Sequence, residues 1–335
     1  MADKIGIGLI GAGRIGRVHG ETLARRVPGA KLVTICDVNA VAAQTLADDL
    51  GSAVSPSVEA VLSHPEVDAV VICSSTDTHA PFIEMAANAG KDIFCEKPIA
   101  ADLAIIDAAL KAVDEAGVKL MIGFNRRFDA NYARVKQAIV DGEIGVPHLM
   151  HIISRDPAPP RVEYIKVSGG LYMDMTIHDF DMARFLLGEV TEVYAVGGVM
   201  VDASIGDAGD IDTTIITLKF ASGALGTIDN SRKAVYGYDQ RVEVFGSAGS
   251  ASSENNYPNA VTISTGDNVR RNLPLNFFME RYLTAYQTEL AAFVKALRDG
   301  TPMPVTGADG RAPVVIAKAA LKSLKENRPV KLSEI

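Results

Sequence analysis

Three cysteines in 335 residues, no basic excess and no long apolar run are the first facts of this sequence, and each closes a class of function. Cys36, Cys73 and Cys95 lie too far apart for a CxxC pair or a zinc-finger spacing, so neither a disulfide framework nor a structural zinc is expected. Each closes a β-like apolar run (LVTIC, AVVIC, DIFC), which marks small buried residues at the ends of core strands. Lys and Arg number 33 against 41 Asp and Glu, a net charge of −8, so the chain lacks the cationic field that a nucleic acid or an acidic membrane surface would need. Neither partner is expected. No uninterrupted apolar stretch approaches the ~20 residues of a bilayer helix. The first apolar stretch, Ile5 to Ile10, runs straight into glycines and carries no signal pattern, so a soluble cytoplasmic protein is expected.

What is present is long enough for two hydrophobic cores. Up to about residue 125, short β-branched runs alternate with helix-period segments, the pattern of βαβ units and a parallel sheet buried on both faces. Strands are predicted at Lys4–Ile10, Lys31–Cys36, Asp68–Cys73, Asp92–Cys95 and Val118–Phe124, with helices between them, several ended by Gly. From 126 to 335 the later strands alternate apolar with polar residues, as in Ile211–Phe220 and Gln240–Gly246, and suit an open, mainly antiparallel sheet with one wet face. Further strands are placed at Val146–Ser154, Glu192–Val201, Gly223–Asn230 and Ala260–Ser264, for a sheet of six or so. One long helix spans Gly170–Leu187, and two tail helices, Phe278–Arg298 and Gly310–Glu326, could pack back on either domain. The expected fold class is an α/β, doubly wound domain (1–125) followed by an α+β domain (126–335).

Gly11, Gly13 and Gly16 form GxGxxG directly between the first strand and the first helix. In that context Gly11 permits the tight turn, Gly13 lets backbone approach a pyrophosphate, and Gly16 lets helix pack on strand. The second strand ends in Asp37, 21 residues beyond Gly16, where a carboxylate can accept from ribose hydroxyls. The same charge would repel a 2′-phosphate, and residues 38–43 offer no Arg or Lys to receive one, so NAD is expected over NADP. Arg14 and Arg17 either touch phosphates or stand in solvent. Ser74-Ser-Thr76-Asp-Thr-His79 follows another strand at its carboxyl edge, where its hydroxyls either line the cofactor or cap the next helix.

Two further motifs carry the chemistry. Cys95-Glu96-Lys97-Pro98 stands at a strand's carboxyl end, and the proline keeps Lys97 out of helix, which leaves a cation at the ligand-binding edge. In GGLYMDMTIHDFDMARF, Asp174, His178 and Asp181 fall at i, i+4 and i+7, so one helical stripe is expected to carry a carboxylate able to orient and polarise an imidazole. No cysteine supplies a third ligand there, and no metal is expected.

These pieces, with GFNRRFD at Gly123–Asp129 and SRDP at Ser154–Pro157, resemble the Gfo/Idh/MocA family of NAD(P)-dependent oxidoreductases. The resemblance spans both domains. It implies that Gly11, Gly13, Arg14, Ile15, Asp37, Ser74, Thr76, His79, Glu96 and Lys97 hold NAD. It implies that Lys97 hydrogen-bonds the reacting hydroxyl, that His178 takes its proton as general base, and that Asp174 orients His178 while a hydride leaves the same carbon. Arg127, Asp156 and Tyr236, with Lys97, Asp174 and His178, are the implied substrate contacts. The implied substrate is a small polyol: the axial hydroxyl of myo-inositol oxidised to 2-keto-myo-inositol, with scyllo-inositol or an aldose as the alternative. A non-catalytic dinucleotide-sensing regulator is the alternative from another class. Family members use the open sheet to form dimers and tetramers, so a homo-oligomer is expected.

Overall fold

The computed structural model describes residues 4–335, which fall into two compact units: the chain up to Phe128 together with Thr284–Ala312, and Asp129–Leu283 together with Pro313–Ile335. The first is built on β1 (Ile5–Ile10), β2 (Ala30–Cys36), β3 (Ala53–Val54), β4 (Ala69–Ile72), β5 (Asp92–Glu96) and β6 (Leu120–Gly123). They form one parallel sheet in the order β3-β2-β1-β4-β5-β6. Helices α1 (Arg14–Arg25), α2 (Ala40–Leu50), α3 (Val58–Leu62), α4 (Thr76–Asn88) and α5 (Leu103–Ala116) make the crossovers. The strands are apolar without alternation because helices cover both sheet faces: Leu9, Ile35, Val71, Ile72 and Phe94 are fully buried. The three cysteines are buried with them. Asn39 and Asp102 cap α2 and α5 with their side chains, and left-handed Gly51 and Gly117 end them. Strand order reverses between β1 and β4, so the ligand-binding crevice of such a sheet lies at their carboxyl ends.

The second unit opens with α6 (Ala130–Val140) and continues with β7 (Pro147–Arg155), α7 (Val162–Ser168), α8 (Gly170–Asp174), α9 (Ile177–Leu187), β8 (Val190–Gly198), α10 (Ala203–Asp207), β9 (Thr213–Phe220), β10 (Leu225–Ser231), β11 (Asp239–Gly246) and β12 (Gly249–Ser253). A hairpin of β13 (Thr262–Ser264) and β14 (Val269–Arg271) follows, then α11 (Phe278–Asp299), α12 (Gly307–Glu326) and β15 (Val330–Lys331). Its main sheet has seven strands in the order β12-β11-β7-β10-β9-β8-β15; β7 and β10 run parallel and the other pairs antiparallel. One face is buried and the other open, as the alternation of β9 requires.

Two expectations need correcting. The strand placed at 260–264 pairs only in its own exposed hairpin and does not join the main sheet, because the alternation there has no buried face behind it. The helix placed over 170–187 is two helices. Of the tail, left open between the two domains, the stretch 284–312 packs in the first unit, where the Val305 carbonyl accepts from the Ile122 N–H (3.2 Å), Lys119 Nζ donates to the Ala296 and Thr301 carbonyls (3.0 Å each), and Phe293 meets Phe94 edge to face. Among the described residues no helix is long and apolar enough to cross a membrane.

Candidate functional site

At the end of β1 the glycine turn has the shape a dinucleotide needs. Gly11 stands at φ +104°, and a Cβ there would lie 2.6 Å from the Cys73 backbone. A Cβ on Gly16 would lie 2.0 Å from the Gly11 carbonyl oxygen, so α1 can start against the turn only with glycine at that position. Gly13, the N-cap of α1, is exposed with nothing within 4 Å of its Cβ position, which leaves its backbone open to a phosphate. Arg14 and Ile15 are the first helical residues, Arg14 exposed and Ile15 half-buried. Asp37 lies just past β2, where it accepts from the Ala12 N–H (2.6 Å) and the Asn39 N–H (2.7 Å). A carboxylate has about four acceptor sites, so two remain for ribose hydroxyls. These residues fit NAD.

The loop after β4 differs from the capping alternative. Ser75 is the N-cap of α4 and its side chain makes no capping bond; Ser74 Oγ pairs with Thr78 Oγ1 (2.7 Å), and Thr76 is exposed at the first helical position. His79, expected at the cofactor, is buried with both ring nitrogens against backbone carbonyls, Nδ1 at Pro98 (2.8 Å) and Nε2 at Ser74 (3.1 Å). Burial pulls its pKa below the usual value, so the neutral ring donates to only one of them. Its observed part is to tie the β4 loop to the EKP turn. Glu96 likewise turns inward, accepting from His19 Nε2 at 2.6 Å, whereas Lys97, at the cis Lys97–Pro98 bond, is half-buried at the carboxyl edge of β5.

In the second unit the DxxxH segment corrects the single-stripe expectation. The Leu171 carbonyl accepts from the N–H of both Met175 and Thr176 (3.0 Å each), while the Thr176 hydroxyl, 3.3 Å from the same carbonyl, donates to Asn230 Oδ1 (2.6 Å). A tertiary hydrogen bond thus competes with the helical ladder, and α8 ends at Asp174 before α9 begins at Ile177. Asp174 and His178 remain half-buried, but Asp181 is 1% exposed and sits with the core. Asp174 accepts from the Tyr164 hydroxyl (2.9 Å) and from Arg232 Nη1 (2.8 Å). Arg232 is 1% exposed and also faces Asp156 (3.8 Å) and Asp210 (4.0 Å). Sequence reasoning misses Arg232, Asp210 and Tyr164. An arginine closing the strand-period run of β10 is the available signal, since a charge rarely follows such a run into the interior without carboxylates to meet it.

The remaining candidates also have partners. Arg127, on a 3₁₀ turn at Asn125–Phe128, donates to Asp309 Oδ1 (3.1 Å) within the first unit. Asp156 follows β7 and is fixed through its backbone, its N–H donating to the Ser231 carbonyl (2.9 Å) and its carbonyl accepting from Ala234 (2.6 Å). The Tyr236 hydroxyl donates to Asp239 Oδ2 (2.5 Å) and accepts from Arg155 Nη1 (3.1 Å). Burial and the neighbouring Asp239 raise its pKa, so it serves as a neutral hydroxyl.

Comparison with known proteins agrees with this layout. Residues 5–124 match the family profile described as oxidoreductase family, NAD-binding Rossmann fold, and residues 132–252 match the GFO/IDH/MocA C-terminal domain. The chain is 47% identical to the myo-inositol 2-dehydrogenase of Thermotoga maritima over 98% of this chain and 99% of that protein. The crystal structure of a myo-inositol dehydrogenase from Corynebacterium glutamicum superposes with a TM-score of 0.95 at 40% identity, covering 98% of this chain and 99% of that one. That of scyllo-inositol dehydrogenase from Lactobacillus casei with bound NAD(H) and scyllo-inositol gives 0.92 at 29% identity, covering 99% and 100%.

Proposed function

The chain belongs to the Gfo/Idh/MocA family of oxidoreductases, and on that premise we propose that it oxidises the axial hydroxyl of myo-inositol to 2-keto-myo-inositol with NAD. The observation that carries this reading is likeness over essentially the whole length to a myo-inositol 2-dehydrogenase, in a chain that carries Lys97, Asp174 and His178. NAD, when bound by the glycine turn and Asp37, supplies the acceptor for the hydride that leaves the alcohol carbon. The imidazole of His178 takes the hydroxyl proton as the C=O bond forms. The Lys97 ammonium donates to the same oxygen and stabilises its developing negative charge. Asp174, itself held by Arg232 and Tyr164, orients His178. Arg127, Asp156 and Tyr236 hold the other ring hydroxyls.

A panel of myo-inositol, scyllo-inositol, glucose and galactose with NAD, followed by NADH absorbance, tests the substrate. Turnover highest with scyllo-inositol or an aldose moves the activity within the family, where L. casei scyllo-inositol dehydrogenase provides the precedent. Turnover surviving in both Lys97→Ala and His178→Ala rejects the roles of those two side chains, and NAD binding without turnover of any polyol leaves the sensor reading. We assign the protein to the cytoplasm and to a homotetramer. Support for assembly comes from the open face of the seven-stranded sheet, where exposed Phe245, Leu149 and Leu225 lie side by side in register, with the exposed pair Val196 and Ile215 farther along the same sheet.

A further inference from the structure

Behind the EKP turn, inside the first unit, three titratable side chains from three elements converge in the interior: His19 of α1, Glu96 of β5 and Glu289 of α11. They are 0%, 9% and 0% exposed, and their ligand atoms lie within 4.8 Å of one another. His19 donates through Nε2 to Glu96 Oε1 at 2.6 Å, and its ring is held edge-on by Phe94 (5.4 Å) and Tyr286 (5.6 Å). Neither carboxyl oxygen of Glu289 meets a donor, and no Lys or Arg among the described residues pairs with it. Two adjacent buried carboxylates with at most one imidazolium between them would leave a bare negative charge inside the fold, which is costly. A Glu289 that keeps its proton takes one negative charge out of the interior and gains an O–H, for which Glu96 is the acceptor at hand.

We propose that His19, Glu96 and Glu289 form a buried clamp holding one proton between the two carboxyls, and that this clamp positions Lys97 through its chain neighbour Glu96. The inference rests on the proposed role of Lys97 at the reacting oxygen. His79 grips the other side of the same turn through the Pro98 carbonyl, so the chain at 96–98 is fixed from both flanks. Burial and the charge of Glu96 raise the Glu289 carboxyl well above its usual range. The other groups facing the clamp do not supply its charge. The thiols of Cys73 on β4 and Cys95 on β5 are held neutral by burial, His79 of α4 is neutral, and Tyr286 presents a ring edge; the cation nearest in sequence is Lys97 itself. A His and two carboxylates could also hold a divalent cation, which would balance the same charge. That occupant is the competing outcome.

The test needs no substrate in its first arm. Infrared spectra of cofactor-free protein with ¹³C-labelled glutamate are expected to show a protonated carboxyl band at pH 7 that is missing in Glu289→Gln. The melting temperature of the wild type is expected to fall as pH rises from neutral toward the raised pKa of Glu289, because a carboxyl raised on folding contributes stability below its unfolded pKa that is lost through its folded one. Glu289→Gln, which keeps a neutral donor for Glu96, is expected to flatten that fall. It should also move the alkaline limb of kcat upward by about one pH unit or more, with KM for NAD unchanged. Absence of the carboxyl band in the wild type, or a stoichiometric metal by elemental analysis whose removal lowers the melting temperature, overturns the proposal. An unmoved alkaline limb in a folded Glu289→Gln protein that has lost the band overturns the positioning role. Failure of the polyol reading is seen separately, as turnover that survives Lys97→Ala, with the infrared and melting results unaffected.

Discussion

Replacing Asp37 by alanine separates two jobs that this carboxylate does at once. Its Oδ2 accepts from the N–H of Ala12, which is 5% exposed and lies inside the glycine turn, so removal orphans a buried donor and costs about 1–3 kcal/mol of stability. Its Oδ1 accepts from the exposed Asn39 N–H, where water substitutes at little cost. On the proposed reading the remaining acceptor sites serve the ribose, and a lost hydrogen bond to a charged acceptor is worth about 1.5–3 kcal/mol, or roughly 10- to 150-fold in the Kd for NAD. NADP binding should suffer less, because a charge that repels the 2′-phosphate disappears with the hydrogen bond, so the preference narrows. Titration calorimetry of both dinucleotides on the wild type, Asp37→Ala and Asp37→Asn gives the affinities, and urea unfolding gives the stability. Asparagine keeps an acceptor for the Ala12 N–H, so it is expected to restore much of the stability and little of the affinity. A folded Asp37→Ala protein whose Kd for NAD changes less than threefold would show that Asp37 only braces the turn, and a wild type that binds both cofactors equally would refute the repulsion argument.

Arg232→Met leaves Asp174, Asp156 and Asp210 facing a neutral side chain, and breaking so buried a pair should cost about 3–5 kcal/mol in denaturant unfolding; Arg232→Met combined with Asp174→Asn should cost less than the sum of the two, and an additive result refutes the pairing. Asp212 is buried, which alone would raise its pKa, yet N–H groups of Met200, Val201 and Asp202 and the Thr213 hydroxyl outweigh burial and lower it. The stability it contributes is therefore present above the unfolded pKa of about 3.9 and lost as pH falls below it, and Asp212→Asn should flatten acid unfolding there. Phe245→Glu places a charge at one end of the exposed apolar row on the open sheet; sedimentation should show smaller assemblies without loss of helix or strand signal, and an unchanged mass would exclude this face from the assembly.

The parts of the fold that depend on local pattern were legible in the sequence. The five long strands of the parallel sheet lie within a few residues of their apolar runs because burial on both faces forbids alternation, and α2 and α5 fall between them as expected, started by Asn39 and Asp102 and ended by Gly51 and Gly117. The two-residue β3 and the five-residue α3 are too short for any period to emerge. The hairpin at 262–271 misled for the opposite reason: a β-branched run reads as a strand whether or not a sheet stands behind it.

The candidate site divides along the same line. A turn whose glycines are demanded by a carbonyl 2.0 Å from a would-be Cβ writes its requirement into consecutive residues, and so does an acid at the end of the next strand. The partners of Asp174 and Glu96 leave no such trace: Arg232 lies 58 residues beyond Asp174, and Glu289 lies far down a tail helix, each chosen by what it meets across the fold. Spacing also missed the break between Asp174 and His178, where one helix was expected and a threonine hydroxyl bonded to Asn230 interrupts the ladder. Sequence pattern therefore singles out the groups proposed to touch cofactor and substrate, whereas the buried polar groups packed behind them appear only when the chain is folded. In this protein those groups, Arg232 beside Asp174 and His19 and Glu289 beside Glu96, are where a single substitution is expected to alter the site without touching any residue assigned to ligand contact.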